Sequence, residues 1–271
     1  MAVKIAHEAP KSIFSKVQSR TDYDYALVHL LEDPEYLELF QNAIAKGREV
    51  ILDNSIFELG SAFDMNEFYT WIKRLNPTWY IVPDVLESAE GTIVNMSKWN
   101  STYSVPSNKI GVVQGDNYEE IVRCYRYLDQ VANVNMIAIS FDYSYYEKLV
   151  PHPNKYVSWM FGRITLLGKL LQDGVINTNR KHHLLGVALP QEGLYYRNAN
   201  YDWIYSMDTS NPVVHGMKGI RYFDFGLLDK ESQKLHELIN SPEPIDNLVY
   251  ENISHFRWFW NSNNNKLYDL I

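Results

Sequence analysis

Short apolar runs alternate with stretches of helical spacing along most of the chain, and this alternation constrains the fold more than any other feature. The apolar runs are rich in Val and Ile, and each has the length of one buried strand. They occupy residues 26–30, 50–52, 79–82, 110–113, 136–141, 183–188, 203–207 and 219–223. Amphipathic stretches with helical spacing lie between most of them, at 34–45, 65–75, 118–130, 157–171 and 230–238. Repeated strand–helix–strand units require parallel strands, and eight units close most economically into a barrel. We therefore predict an α/β fold of the (β/α)8 TIM-barrel type, with an open doubly wound sheet as the competing fold.

The chain is predicted to form a single domain over residues 1–271. Its 271 residues fit one barrel, and no shift in composition marks a domain boundary. Segments that carry Pro, Asn or Ser predict loops at 99–108, 142–154 and 209–218. The stretch 241–271 is predicted to contain a closing helix followed by a polar tail.

Composition excludes several classes of protein. The net charge of −8 argues against a protein that coats nucleic acid by bulk electrostatics, but it leaves a local basic groove open. The single cysteine, Cys124, excludes a disulfide framework within the chain and a cysteine-rich zinc cluster, and it fits a reducing cytoplasm. No apolar run approaches the roughly 18 to 20 residues that a bilayer requires, so we expect neither export nor a membrane partner.

Polar residues follow the predicted strands at the points where the strands end. In a parallel barrel these ends meet at one rim, which is where active sites lie. Carboxylates gathered there repel one another unless their charges are used or neutralised, which favours a catalytic mouth. The set comprises Asp53, Asp84, Gln114 with Gly115, Ser140, Asp142 and Asp208.

Two other interpretations of these residues compete with catalysis. Any one aspartate could simply cap the following helix, and clustered carboxylates could hold magnesium or calcium. The sequence has no H-E-x-x-H motif and no glycine-rich phosphate loop, and the pair His182–His183 precedes an apolar run, where strand packing is favoured over ligation. We therefore predict no metal site and no cofactor.

Five motifs in order resemble the tRNA-guanine transglycosylase superfamily, and in particular the compact DNA 7-deazaguanine transglycosylases of phages and bacteria. The segment HHLLGVALPQEGLYYRNANYDWIYSMDTSNP is similar to the family's y-L-M-G-V-G-x-P followed by D-x-F-D-C-x-x-P-T-R. LDNSIFELG resembles the family's D-S-G-G-F-Q, and GVVQG resembles its G-I-V-Q-G. IAISF lies at the position of the family's G-L-A-V-G, and the aspartate of PDV matches a family aspartate in the same order. The resemblance runs from about residue 49 to residue 222.

The resemblance implies a role for each matching residue. Asp208 falls on the catalytic nucleophile, and Asp53 falls on the carboxylate that assists proton transfer. The base-binding positions fall on Asp84, Gln114, Gly115, Ser140 and Gly186, and Phe57 could supply a stacking wall, as could Phe141 or Tyr143. The tRNA-acting members carry a zinc site built from three cysteines and a histidine, which one cysteine cannot supply.

The implied activity is exchange of guanine for a 7-deazaguanine base in DNA through a covalent aspartyl-nucleotide intermediate. The substrate would be DNA, or else tRNA, with the free 7-deazaguanine base as co-substrate, and an oligomer is left open. A DNA glycosylase that uses water in place of the new base is a second candidate, and a catalytically idle barrel that binds nucleic acid is a third. Aromatic and basic residues that could hold the nucleic acid near the rim are Tyr145, Tyr146, Lys148, Tyr195, Tyr196, Arg197, Lys218 and Arg221.

Overall fold

Eight parallel strands form one sheet that curves into a nearly closed barrel. A computed structural model describes residues 2–230 and 234–261. The sheet order is β1-β8-β7-β6-β5-β4-β3-β2, and every pairing in it is parallel. The strands are β1 Lys4–His7, β2 Asp24–Leu27, β3 Val50–Asp53, β4 Trp79–Ile81, β5 Asn108–Val112, β6 Met136–Ser140, β7 Lys181–Leu185 and β8 Ile204–Thr209. This topology confirms the predicted (β/α)8 barrel and excludes the open doubly wound sheet.

The barrel has a seam between β1 and β2. These two strands share no ladder within the described residues, and Asp22, which lies just before β2, makes the connection. The Ile5 amide donates to the Asp22 carboxylate at 2.8 Å, and the Asp22 amide donates to the Ile5 carbonyl at 2.9 Å. Arg257 also donates to both oxygens of that carboxylate at 3.0 Å, so a helix near the end of the described chain braces the seam.

Helices cover the outside of the barrel, and their starts follow from local chemistry. Asp33, Asp64 and Asn117 each cap the first turn of a helix with a side-chain oxygen that accepts backbone N–H groups. The helices are α1 Phe14–Gln18, α2 Pro34–Ala45, α3 Ile56–Leu59, α4 Met65–Leu75, α5 Ala89–Thr102, α6 Tyr118–Gln130, α7 Ser144–Leu149, α8 Lys155–Gln172, α9 Asn211–Met217, α10 Leu235–Leu238 and α11 Leu248–Asn261. The predictions at 34–45, 65–75 and 118–130 are confirmed residue for residue. The prediction at 157–171 is confirmed within two residues.

Two strand predictions need correction. The prediction missed β1, because its four residues begin with Lys4 and end with His7 and form no apolar run. The strand predicted at 219–223 is wrong. There the chain leaves α9 through Gly219, which has a φ of +72°, and makes a single wide helical turn at Tyr222–Gly226. Asn252 of α11 accepts from the Tyr222 amide at 3.1 Å and fixes this turn.

Several loop predictions also need correction. The predicted loops at 142–154 and 209–218 contain the short helices α7 and α9, and α5 extends into the predicted loop at 99–108. The predicted closing helix is confirmed as α11, whereas its polar tail at 262–271 lies outside the described residues. Of the helix predicted at 230–238, the structure has α10, and residues 231–233 lie outside the described residues.

Side chains alternate between the barrel interior and the helical layer. The interior is packed with residues such as Tyr25, Ile51, Ile81 and Val112, so the barrel has a solid core below its rim. Outward-facing residues, including Leu52 on β3, pack against the helices. No helix of the described residues has the length and apolarity that crossing a membrane requires.

Candidate active site

One cavity of about 220 Å³ opens at the carboxyl ends of the strands. Each of the eight strands contributes a residue at its end or in the loop directly after it. These residues are Glu8, Leu27, Asp53, Asp84, Gln114, Ser140 with Asp142, Gly186 and Asp208. The structure therefore brings together the predicted residues Asp53, Asp84, Gln114, Ser140, Gly186 and Asp208, with Phe57 on the loop after β3.

Asp208 lies near the end of β8 with one carboxylate oxygen held by the protein. His183 Nε2 lies 2.9 Å from Asp208 Oδ1, and the Gly186 amide donates to the same oxygen at 3.3 Å. Gly186 has a φ of +58°, and a Cβ there would lie 2.4 Å from Phe141 Cδ1. Glycine is therefore required for this approach of the backbone to Asp208.

Asp53 ends β3 and is supported differently. Tyr25 donates its hydroxyl to Asp53 Oδ1 at 3.1 Å, and the Ser55 amide donates to Oδ2 at 2.7 Å. Ser55 has a φ of +59°, a strained backbone for a residue with a side chain, and this conformation turns its amide toward Asp53. Burial, together with the neighbouring carboxylates of Glu58 and Asp208, raises the pKa of Asp53 well above its usual range.

Asp84 and Gln114, which follow β4 and β5, form a hydrogen-bonded pair in the cavity wall. Gln114 Nε2 donates to Asp84 Oδ2 at 2.6 Å, and Asn54 Nδ2 donates to Asp84 Oδ1 at 2.7 Å. The Glu87 amide donates to Gln114 Oε1 at 2.8 Å, which fixes the orientation of the amide group. Burial raises the pKa of Asp84, while the bonds from Gln114 and Asn54 oppose that rise. Each partner keeps a second acceptor or donor site for a ligand.

The strand β6 and its loop supply both polar and apolar lining. Ser140 donates its hydroxyl to Asp142 at 2.6 Å. Phe141 lines the cavity, and Phe57 lies 5.6 Å from it between ring centroids, so the two form an aromatic wall. Lys230 Nζ lies 3.4 Å from the centroid of Phe141. Tyr143, the third predicted stacking residue, is buried, and its hydroxyl donates to the carbonyl of Val113.

Gly115 lies behind the cavity wall. A Cβ at this position would lie 2.8 Å from the Ile121 nitrogen and 2.8 Å from Glu120 Cβ. The absence of a side chain therefore lets the loop after β5 pack against the first turn of α6.

The groups in or beside this cavity that sequence reasoning missed include Glu8, Glu58, His183 and Lys230. Glu8 follows β1, so it would have been found had that strand been predicted. Burial and neighbouring carboxylates raise the pKa of Glu8 well above its usual range and that of Glu58 to about 7. Burial lowers the pKa of Lys230 to about 8, although Asp142 and Glu8 oppose the change. Glu58 lies in a segment where no periodic pattern indicates which side chains point inward. Lys230 begins the stretch predicted as a helix at 230–238, but it lies before α10, so that pattern did not place it at the cavity.

A buried ion pair supports the rim from outside. Arg163 of α8 and Glu192 are both fully buried and make two bonds, at 2.7 and 2.9 Å. Arg163 also donates to the carbonyls of Leu185 and Gly186 at 3.0 and 2.9 Å. The guanidinium thus fixes the end of β7, where the backbone reaches Asp208.

The residues predicted to hold nucleic acid near the rim differ in accessibility. Tyr146 and Tyr196 are buried and cannot take that role, because their rings pack into the core. Arg197 is also committed elsewhere, since its guanidinium donates to the carbonyls of Trp258 and Phe259 in α11. Tyr195 and Lys148 are exposed.

The described residues contain no group of three or more His, Cys, Asp or Glu side chains arranged to hold a metal ion. Protein donors engage Asp53, Asp84 and Asp208, and burial beside other carboxylates favours the protonated forms of Glu8 and Asp53. This arrangement suits proton transfer and the stabilisation of charge at the cavity floor.

Comparisons with known proteins find solved structures that resemble this one, but no related sequence family. No family model matches the sequence, and no curated protein matches it. An N-acetylneuraminate lyase from Mycoplasma synoviae is similar with a TM-score of 0.47 and 10% identity, covering 96% of this chain and 97% of that one. The human mitochondrial enolase superfamily member 1 is similar with a TM-score of 0.44 and 9% identity over 77% of this chain. The matched region spans 46% of the length of that human protein.

Proposed function

We propose that this protein is an enzyme that replaces guanine with a 7-deazaguanine base in DNA through a covalent aspartyl-nucleotide intermediate. The observation that carries the proposal is that Asp53 and Asp208 line one cavity but are held by different groups. Asp208 receives hydrogen bonds from His183 and Gly186, which stabilise a carboxylate, whereas the surroundings of Asp53 favour its protonated form. Two carboxyl groups in contrasting surroundings are suited to act as nucleophile and proton donor.

The first half-reaction removes guanine. A carboxylate oxygen of Asp208 attacks C1′ of the nucleotide, and the bond between C1′ and N9 breaks as the new ester bond forms. The electron pair of the broken bond leaves with guanine, which takes a proton from Asp53. The transition state resembles an oxocarbenium ion, and the carboxylate stabilises its positive charge.

The second half-reaction is the reverse sequence with a new base. N9 of the 7-deazaguanine attacks C1′ and gives its proton to Asp53, and the ester bond to Asp208 breaks. The carboxylate is restored, and two inversions at C1′ preserve the β-configuration. The side chains of this chain thus supply both the nucleophile and the proton carrier.

The Asp84–Gln114 pair and the aromatic wall suit recognition of a purine-like base. Asp84 can accept from the N–H groups on the base edge, and Gln114 can donate or accept according to its fixed orientation. Phe57 and Phe141 offer flat apolar surface for the ring. This combination of a polar edge reader and a stacking wall is what a planar heterocycle requires.

Exposed apolar side chains around the mouth support a substrate larger than a free base. Phe57 and Leu86 line the cavity in the loops after β3 and β4, and they are 46% and 44% exposed. Lysines line the cavity beside the acidic floor and can neutralise phosphates; they are Lys155, Lys230 and Lys234. A base must leave its stack to reach the floor, and exposed rings can occupy the vacated space.

The proposal is tested by incubating the protein with guanine-containing DNA or RNA and 7-deazaguanine bases that differ in their 7-substituent. Nucleoside mass spectrometry should find the 7-deazaguanine in DNA and an equal amount of released guanine. Abasic sites without incorporation would identify a glycosylase, and incorporation into RNA alone would identify a tRNA-acting enzyme. Release of no base from either polymer would contradict the proposal.

A further inference from the structure

We propose that His183 is a positioning residue that holds Asp208 Oδ1 and thereby assigns nucleophilic attack to Oδ2. The inference rests on the proposed function, because it concerns which atom of Asp208 reacts. It starts from the asymmetric hydrogen bonding of that carboxylate.

Both donors that reach Asp208 contact the same oxygen. His183 Nε2 and the Gly186 amide lie 2.9 and 3.3 Å from Oδ1. Among residues 2–230 and 234–261, no protein donor forms a hydrogen bond to Oδ2. The held oxygen fixes the plane of the carboxylate, and Oδ2 keeps its lone pairs for C1′.

The imidazole of His183 is itself held on several sides. It is fully buried in β7, and its Nδ1 lies 2.8 Å from Ser206 Oγ. The Tyr25 ring stacks on it with a centroid distance of 6.1 Å and an angle of 14°, and the Tyr23 ring meets it edge-on at 6.4 Å. A carboxylate only accepts hydrogen bonds, so Nε2 must carry the proton, and Nδ1 can accept from Ser206. His183 therefore presents one fixed N–H to Asp208.

This N–H acts in both half-reactions. When Oδ2 becomes the ester oxygen, Oδ1 becomes the ester carbonyl oxygen and still accepts from His183. When the incoming base breaks the ester bond, negative charge returns to the carboxylate, and the hydrogen bonds to Oδ1 strengthen as it does so. Loss of the N–H should therefore slow turnover more than it weakens substrate binding.

Two substitutions separate this role from packing. His183→Phe keeps a ring for Tyr25 to stack on and removes the donor, whereas His183→Gln can place an amide N–H near the position of Nε2. We expect His183→Phe to lower kcat by roughly 10²- to 10³-fold, the range for loss of one preorganised donor, with KM changed less than about threefold. His183→Gln should recover kcat to within about tenfold of wild type.

His182 provides the matched control. It is the neighbouring residue on β7 and is also fully buried, but its ring faces Tyr125 and Trp203 outside the barrel. His182→Gln should therefore leave kcat near the wild-type value, with folding of each variant checked by circular dichroism and thermal unfolding.

The outcomes distinguish this inference from the proposed function. If the wild-type protein exchanges bases and His183→Phe keeps the wild-type kcat, the role of His183 is overturned while the proposed function stands. A His183→Gln variant as slow as His183→Phe overturns that role as well. Equal losses in all three variants indicate damage to the strand and also overturn it. If wild type exchanges no base, the proposed function fails. In that case ¹⁵N NMR of the histidines tests the hydrogen bond between His183 and Asp208 directly. The bond requires a proton on His183 Nε2, and the His183 signal should shift in Asp208→Asn. The neutral tautomer with its proton on Nδ1 would refute it.

Discussion

At the scale of single residues, Tyr25 connects the supports of the two carboxyl groups to which we assign the reaction. Its hydroxyl donates to Asp53, while its ring stacks on His183, the partner of Asp208. The identity of a residue at a strand end thus indicates only that it can reach the rim. What each carboxyl can do depends on contacts from neighbouring strands.

Asp208→Asn should abolish base release while the fold stays intact. A neutral amide can neither stabilise the oxocarbenium-like centre nor form the ester, so we expect the rate to fall by at least about 10⁴-fold, as when a nucleophile is removed from other enzymes. Nucleoside mass spectrometry of released guanine measures the rate, and circular dichroism checks the fold. A folded variant that releases guanine at the wild-type rate would rule out Asp208 as the nucleophile. A trapped adduct that peptide mass spectrometry maps to Asp53, Asp84 or Asp142 would rule it out as well.

Asp53→Asn should behave differently because the nucleophile remains. Turnover should fall by roughly 10²- to 10⁴-fold, the usual contribution of general acid–base catalysis. The covalent adduct on Asp208 should still form slowly and accumulate, since the variant cannot transfer protons to and from the bases. Quenched reactions analysed by intact-protein mass spectrometry would detect it. Loss of less than about threefold in turnover would show that Asp53 carries no proton in the reaction.

At the scale of elements, the sequence predicts what has a period and misses what depends on contacts distant in sequence. The helices α2, α4 and α6 follow from an amphipathic repeat and a capping residue, so their ends could be predicted. Four-residue β1 has no such signal, because Lys4 and His7 take their places through pairing with β8. The site was predictable to the same extent. Asp53, Asp84, Gln114 and Asp208 follow apolar strands, whereas His183 lies inside one, and only the neighbouring strand shows that it meets Asp208.

The packing of α7 on α8 predicts opposite effects of two glycine substitutions in the same helix. A Cβ at Gly162 would lie 2.3 Å from Tyr146 Cβ, whereas one at Gly168 would have its nearest neighbour, Tyr201 Oη, at 3.8 Å. Gly162→Ala should therefore lower the free energy of unfolding by about 1–3 kcal/mol through overpacking. Gly168→Ala should raise it by up to about 1 kcal/mol through helix propensity.

Urea denaturation of both variants measures these changes, and each variant is the control for its counterpart. Equal shifts of the same sign would contradict the close contact of α7 with α8 at Gly162.

At the scale of the whole molecule, the barrel concentrates carboxyl groups in one cavity, which makes its stability depend on pH. The pKa of Glu58 is raised to about 7 from an ordinary value of 4.5. The folded protein therefore keeps a proton on Glu58 that the unfolded chain releases between these two pH values. The free energy of unfolding should accordingly fall as pH rises from about 4.5 to about 7, and the raised pKa values of Glu8 and Asp53 act in the same direction.

Glu58→Gln should remove part of this dependence. We expect the loss of stability between about pH 5 and pH 8 to shrink by up to about 3 kcal/mol, the energy equivalent of the raised pKa. Chemical denaturation at the two pH values measures the change. Glu38→Gln, on the exposed face of α2, is the control and should keep the wild-type dependence. An unchanged dependence in Glu58→Gln would show that this carboxyl titrates normally.

The seam of the barrel has a consequence for the order in which the chain acquires its structure. Within the described part of the chain, the first strand, β1, shares no ladder with β2, its successor, and its ladder partner is β8, where Lys4 pairs with Ser206. A growing chain therefore carries β1 without a strand to pair with until almost the entire barrel has been synthesised. Closing so long a loop costs conformational entropy that only the last contacts repay. We expect β1 to join the sheet last, so that the cavity mouth is completed, with Glu8 in place, only after the remaining seven strands have assembled.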